Sequence, residues 1–300
     1  CIRDRWLRVR WIDLMTSWRQ SIAAGTNDME NIKGQNIIAG IFANPNKKRA
    51  LEAVSAAKSI LDRVGVRWAD CGKPDTIYEG GTVDMLLAIG GDGTILRAIH
   101  WMVKGCGTRA PILGVNVGRI GFLSETDLSS LESAMTRIIE GNYNIETYMM
   151  LECTVKDKSF MCVNDFILYK KCFSSVAHID MCFDGMDAGS VYCDGIIIST
   201  PAGSTGYSVS AGGPIISTRL EAVAVTPICS HSLGIRPVVL SRDAVIKLTA
   251  RDEARFSSDG VDNMDLYPGD EMIVRRSIAS MGLIRLHERN EYKLIDEKLR

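Results

Sequence analysis

The sequence predicts two fold classes in succession: an open, mostly parallel α/β sheet, then an all-β sandwich. Three observations carry this expectation. From Ile37 to Gly141, short apolar runs alternate with segments of helical period. After about residue 144 the helical period nearly vanishes, and β-rich runs succeed one another between turn dipeptides. Glycine-rich stretches stand just after apolar runs, where an open α/β sheet carries its ligand loops.

Residues 1–35 differ in character from the rest of the chain. Arg3, Arg5, Arg8, Arg10 and Arg19 are mixed with Trp6, Trp11 and Trp18. A surface-binding amphipathic helix, a targeting remnant and an extension outside the fold all fit, and the extension is the preferred reading. Residues 36–143 are expected to form the α/β domain. Ile37–Ala43 reads as a buried strand and Asn44-Pro45-Asn46 breaks it. Lys48–Arg63 has helical period, with Gly65 as its cap. Val66–Ala69, Val83–Ile89 and Pro111–Val115 read as further strands. Ile95–Val103 and Asp127–Glu140 read as helices, the latter capped by Asp127 and closed by Gly141.

Residues 144–275 are expected to form the sandwich. Its strands are sought in Tyr143–Val155, Met161–Tyr169, His178–Phe183, Ser190–Thr200, Ala222–Cys229, Ala244–Ala250 and Glu271–Arg275. The charged segment 276–300 is expected to turn back onto the first domain, with helical character from Ile284.

The totals exclude several classes. A chain of 300 residues with 46% apolar and 24% charged residues is long enough for about two globular domains. With 35 basic and 36 acidic side chains, no field favours nucleic acid or an anionic membrane. No apolar run approaches the ~20 residues of a membrane span. Nine widely spaced cysteines without a Cys-x-x-Cys pair argue against a metal cluster or a disulfide framework, and for a cytoplasmic setting.

Four stretches carry chemistry. Gly90-Gly91-Asp92-Gly93-Thr94 stands where a buried strand becomes a helix. Backbone amides and the positive helix end hold phosphate at such a place, and glycines let a ligand approach. Asp92 repels phosphate there unless it serves a metal or a hydroxyl. Gly114–Leu123 places three glycines in a second loop on the same sheet edge. Asn164-Asp165 pairs an amide with a carboxylate, which suits a ribose or an adenine edge and equally suits a turn. In Asp194–Pro214 a buried strand feeds a run of hydroxyls and glycines, the pattern of an ordered polar-ligand loop or of a flexible linker. Gly105–Ala110 matches a dinucleotide fingerprint by letter but comes after a helix, so it is read as a loop. Arg97 and Arg119 flank the two phosphate loops, and Cys193 is read as a buried thiol.

In this order and spacing the four stretches resemble the NAD kinase family, from about Ile37 to the C-terminus. The glycine–aspartate motif alone is shared with lipid kinases and resembles phosphofructokinases. Gly203–Pro214 is far more specific. The resemblance implies a Rossmann-like α/β domain and then a β-sandwich. It implies phosphorylation of the 2′-hydroxyl of the adenosine ribose of NAD, giving NADP. ATP or polyphosphate would be the donor, with Mg²⁺ or another divalent metal. By the same resemblance Asp92 is the catalytic acid, with Gly93 beside it. Gly90, Gly91, Gly93 and Thr94 handle the donor phosphates. Asn164 and Asp165 hold ribose and adenine, and Asp194 stands near the nicotinamide end. Thr205, Gly206, Tyr207, Ser208 and Ser210 surround the dinucleotide. The family implies a homodimer or homotetramer whose neighbouring subunits contribute to the substrate site.

Some positions depart from the family. Ala202 stands for threonine and Gly206 for alanine. Ser175 replaces an arginine and Val261 a glutamine, which puts two side-chain contacts in question. The rival readings are a lipid or sphingoid-base kinase, which needs an apolar acceptor pocket, and a non-catalytic nucleotide sensor, against which Asp92 argues.

Overall fold

The computed structural model describes residue 32 and residues 36–44, 48–71, 83–106, 110–118, 121–231 and 234–299. The readings of 1–31, Pro45, Arg119 and Gly107–Arg109 lie outside these. The chain divides into two compact units. One runs up to Thr147 and takes in Gly282–Arg289; the other comprises Tyr148–Met281 and the residues from Asn290 onward.

The first unit is built on a parallel sheet. Its strands are β1 (Ile38–Ala43), β2 (Arg67–Asp70), β3 (Met85–Ile89) and β4 (Ile112–Asn116), in the order β2-β1-β3-β4. Ile112 of β4 also lies beside Leu283 in parallel pairing. β3 and β4 are buried along their whole length, as strands covered on both faces must be. α1 (Lys48–Arg63) covers the sheet with Ala50, Ala53, Ala57, Ile60 and Leu61. It ends as the sequence predicts: Gly65 adopts φ +71, and Val66 N–H returns to the Leu61 carbonyl. α2 (Asp92–Trp101) continues directly from β3 and buries Ile95, Leu96, Ala98, Ile99 and Trp101, whose ring meets Phe42. Asp84 is structural, its carboxylate accepting from Ile38 N–H at 2.7 Å.

One expected helix starts late. Thr126–Asp127 pairs with β4 as the short strand β5, and α3 covers only Leu131–Ile139. The Asp127 carboxylate caps the intervening turn, accepting from Ser129 Oγ at 2.6 Å and Ser130 N–H at 2.9 Å. These bonds, the Ser129 hydroxyl first, hold its pKa below the ordinary carboxylate value. Gly141 closes the helix at φ +78.

The second unit is a sandwich. Its strands begin with β6 (Asn144–Val155), β7 (Lys158–Cys162), β8 (Asp165–Lys170), β9 (Ala177–Phe183), β10 (Met186–Cys193) and β11 (Gly195–Ser199). The one-turn helix α4 (Tyr207–Ser210) precedes β12 (Ala222–Ile228), β13 (Val238–Ser241), β14 (Ile246–Ala250), β15 (Ala254–Ser258), β16 (Asp262–Leu266) and β17 (Glu271–Arg285). One face is a six-stranded antiparallel sheet in the order β13-β12-β11-β8-β15-β16. The other contains β10-β9-β14 and the start of β17, with the β6–β7 pair beside it. Their inner faces share a core of Phe166, Leu168, Ile196, Ile198, Val225, Ile246, Leu248 and Phe256, among others.

β13, β15 and β16 depart from the expected strand list, since Arg255, Ser257, Asp262 and Asp265 blur the period of the last two. β17 extends to Arg285, ten residues past the expected strand end at Arg275. Residues Glu291–Leu299 form α5, and the Glu291 carboxylate accepts from Ser217 Oγ and Thr218 N–H, each at 2.8 Å, within the second unit. The part of the tail that belongs to the first unit is Gly282–Arg289. Among the described residues no helix is long and apolar enough to cross a membrane.

The Phe256 ring sits 4.7 Å from Phe160 and 5.7 Å from Phe166, centre to centre. Phe256→Ala should lower the stability of the second unit by about 3–5 kcal/mol. Denaturant titration read by a probe in that unit checks this.

Candidate functional site

β1 and β3 are neighbours, while their connections leave toward opposite sheet edges, to β2 and to β4. In an open parallel sheet this is the switch point, and the crevice lies beyond the carboxyl ends of the strands. Gly90 stands at that end of β3. Its φ of +155 and its closeness to Thr94 Oγ1, 2.2 Å from an added Cβ, exclude other residues. Gly90 N–H donates to the Val115 carbonyl, which ties the turn to β4. Gly91 and Gly93 are exposed, and nothing crowds the space a Cβ would take. α2 starts at Asp92, so the amides of Asp92 and Gly93 precede the first helical bond, from Thr94 N–H to Gly91 O. Free helix-start amides of this kind suit phosphate oxygens.

The Asp92 carboxylate bonds a neighbouring loop rather than its own helix start. Oδ2 accepts from Phe122 N–H at 2.7 Å and Oδ1 from Leu123 N–H at 3.1 Å. Each oxygen keeps acceptor capacity for one more donor. Gly121 allows the approach, because a Cβ there would lie 2.0 Å from Oδ1. Gly121–Leu123 is therefore the mount of Asp92. Asn116 and Ser124 brace it, with Gly118 N–H on Asn116 Oδ1 at 2.5 Å and Gly121 N–H on Ser124 Oγ at 2.8 Å.

Sequence reasoning missed what lies behind this loop. Arg285 donates to the Leu123 carbonyl at 3.2 Å and Arg289 to the Phe122 carbonyl at 2.5 Å. A second Arg289 bond goes to the Ser124 carbonyl. Glu125 balances both cations, 3.2 Å from Arg285 and 3.6 Å from Arg289, and Glu146 meets Arg285 at 2.6 Å. Buried charges leave no periodic trace. Only the arginines spaced four apart in a charged tail hint at them.

In the second unit Asn164-Asp165 opens β8. Asp259, at φ +47, gathers three backbone amides: Val163 N–H at 2.9 Å, Asn164 N–H at 2.9 Å and Asp165 N–H at 3.0 Å. The Asn164 carbonyl accepts from Thr200 N–H at 2.9 Å. Gly203 presses on the same carbonyl, where a Cβ would lie 2.0 Å from the oxygen. Asn164, Asp165, Thr200, Gly203 and Gly206 therefore form one cluster. Burial, and then the Asp259 carboxylate, push Asp165 up to about 7.

The remaining expected residues divide. Thr205 Oγ1 closes its own turn onto the Ala202 carbonyl at 3.1 Å. Tyr207 and Ser210 are exposed. Ser208 is fully buried and shares a 3.0 Å hydrogen bond with Thr226, so its hydroxyl builds the loop. Asp194 stands at the far end of β11 from this cluster, about 16 Å along a strand of that length. It pairs with Lys170 at 2.6 Å. Ser175 bonds only its own turn, at the Cys172 carbonyl, 2.9 Å away. Cys193 is a buried thiol pushed up to about 11 by desolvation, which leaves it no nucleophilic role near neutrality.

Comparison with known proteins matches two family models to successive parts of the chain. The family model of the ATP-NAD kinase N-terminal domain matches residues 74–143, and that of the ATP-NAD kinase C-terminal domain matches residues 163–286. The NAD kinase of Caldicellulosiruptor saccharolyticus is 35% identical over 265 residues, spanning 88% of this chain and 100% of that one. The NAD kinase of Moorella thermoacetica is 40% identical over 278 residues, spanning 87% and 88%. Among solved structures, yeast NADH kinase complexed with NADH shares the fold, with a TM-score of 0.78 at 24% identity, covering 88% of this chain and 87% of that one. An NAD kinase from Archaeoglobus fulgidus in complex with ATP matches with a TM-score of 0.75 at 25% identity, covering 87% and 99%.

Two outcomes are expected. Gly121→Ala forces the Asp92 carboxylate off its mount and should lower turnover at least tenfold with the fold intact, read by steady-state kinetics and circular dichroism. Asp165 sets a pH dependence of stability. Folded Asp165 keeps its proton up to about 7, while the unfolded chain releases it near 3.8. The folded state binds more protons in that window, so this contribution is present below it and is lost as pH rises through it. Asp165→Asn should raise the melting temperature more near neutrality than near the acid end of the window.

Proposed function

The chain belongs to the NAD kinase family of enzymes, and on that premise we propose that it phosphorylates the 2′-hydroxyl of the adenosine ribose of NAD, giving NADP. The observation that carries the reading is a fixed carboxylate, Asp92, at a helix start whose Asp92 and Gly93 amides precede the first helical bond and whose glycines, Gly91 and Gly93, are uncrowded, at the switch point of a parallel sheet.

A ribose hydroxyl is a weak nucleophile. Asp92 takes the 2′ proton as the oxygen attacks the terminal phosphorus of the donor. The new P–O bond forms as the bond to the leaving phosphate breaks, so ATP departs as ADP. Phosphoryl transfer needs mainly position and charge stabilisation. The amides around Gly91 and Gly93 supply both to the phosphate oxygens. ATP, the ligand of the Archaeoglobus structure, is the favoured donor, with polyphosphate as the other.

A divalent cation such as Mg²⁺ fits this donor set. Among the described residues no three acidic, histidine or cysteine side chains form a metal cluster. Mg²⁺ is commonly held by one or two carboxylates together with substrate phosphates. Asp92 is the carboxylate that would serve, and the ion would neutralise phosphate charge.

For the acceptor, Asn164 and Asp165 take ribose and adenine edges, Gly203, Thr205 and Gly206 close round them, and Asp194 takes the nicotinamide end. A lipid acceptor needs an apolar pocket, whereas the loop beside Asn164 presents Thr205, Gly206 and Ser210. A cytoplasmic homodimer or homotetramer belongs to the same reading. Phe173, 96% exposed, supports contact with a further copy.

The test is direct. The protein is incubated with NAD, Mg²⁺ and either ATP or polyphosphate, and NADP is measured. Absence of NADP with both donors refutes the reading. Asp92→Asn should lower turnover by about two orders of magnitude or more while NAD still binds, as single-turnover and binding assays would show.

A further inference from the structure

The structure assigns Arg289 the role of a positioning residue for Asp92, with Arg285 and Glu125 as its support; this rests on the reading of Asp92 above. The chain of contacts is continuous and lies within the first unit. Arg289 Nη1 donates to the Phe122 carbonyl at 2.5 Å. That carbonyl belongs to the same peptide group as Leu123 N–H, which donates to Asp92 Oδ1 at 3.1 Å. The guanidinium, the peptide and the carboxylate thus form one line of hydrogen bonds. A cation on the carbonyl polarises the peptide and strengthens its N–H as a donor. Arg289 also holds the Ser124 carbonyl, so it grips the loop on both sides of Leu123.

The grip is itself held in place. Arg285, 5% exposed, takes the Leu123 carbonyl at 3.2 Å between the other two. Glu125 Oε1 accepts from the backbone N–H of Leu286 at 2.9 Å and of His287 at 3.3 Å. Its Oε2 faces Arg285 at 3.2 Å and Arg289 at 3.6 Å. Three successive carbonyls of the loop are therefore held by arginines, while two of its amides hold Asp92. A backbone loop with Gly118 and Gly121 has little stiffness of its own. With the arginines in place, the two amides that orient the Asp92 carboxylate are held in position.

Loss of Arg289 should act on turnover rather than on NAD affinity. Arg289→Ala should lower kcat by ten- to a hundredfold and leave KM for NAD within about threefold. Arg289→Lys, which cannot span two carbonyls in a fixed fork, should recover only part. Because the effect passes through Asp92, it should vanish in the Asp92→Asn background, where adding Arg289→Ala lowers the residual rate less than twofold. Added guanidinium ion at millimolar concentration should restore part of the rate of Arg289→Ala and none of that of Asp92→Asn.

The outcomes separate the two claims. Near-normal turnover of Asp92→Asn removes the reading of Asp92 and the proposal with it. With Asp92→Asn impaired, wild-type kcat in Arg289→Ala overturns the proposal alone. So does an equal loss in both backgrounds, or a rise in KM without a fall in kcat. If Arg289→Ala does not fold, the same cycle is run with Arg289→Lys.

Discussion

The Asp92 carboxylate rests on two backbone amides, those of Phe122 and Leu123, and much of the first unit is arranged so that it can. The helix start supplies the residue, the glycine at 121 supplies the room, and the loop after β4 supplies the donors. An acid in the first turn of a helix is favoured by the helix dipole, so the position accepts a carboxylate readily. The two amide bonds then set its direction. An acid that was merely a helix cap would bond its own amides; this one bonds a neighbouring loop and leaves Gly91 and Gly93 uncrowded.

The second unit solves a similar problem through the backbone of the residue it fixes. Asn164 is fixed through its backbone, by Asp259 on the amide side and by Thr200 and Gly203 on the carbonyl side. That leaves its side chain free of structural duty. The arrangement leaves one carboxylate, Asp165, buried close to another and therefore half-protonated near neutrality. Strand β11 is buried on both faces because the segment after it folds back over the sheet, with Ser204 bonded to Ile216 and Ser208 to Thr226.

Much of this is legible in the sequence. The alternation before Gly141, the β character after 144 and the glycine turn at 90 come from period and from backbone freedom, and these survive in any tertiary setting. The start of α3 is misplaced by sequence reasoning because Asp127 caps a turn one step before the helix, and a cap looks the same in either place. Strands β15 and β16 are hidden because polar residues break their apolar runs: Ser257 and Ser258 are buried in β15, and Leu266 alone is buried in β16. The arginine–glutamate group behind Asp92 is invisible for a different reason. Buried charges pair across more than a hundred residues, Arg285 with Glu125 at a separation of 160, and no local pattern encodes such a pair. The motifs single out candidate residues and leave open what holds them still.

Strand β17 has a consequence for how the protein comes into being. Its last residues, with the segment to Arg289, complete the sheet and the loop support of the first unit, yet they come after nearly all of the second unit in the chain. A ribosome delivers residues in order, and domains generally fold as they emerge. Here the earlier unit stays incomplete, its sheet edge at β4 without Leu283 and its Asp92-bearing loop unclamped, until the later unit has been made. A chain truncated before Leu283 lacks both the closing strand and the clamp, however well its glycine motif is preserved.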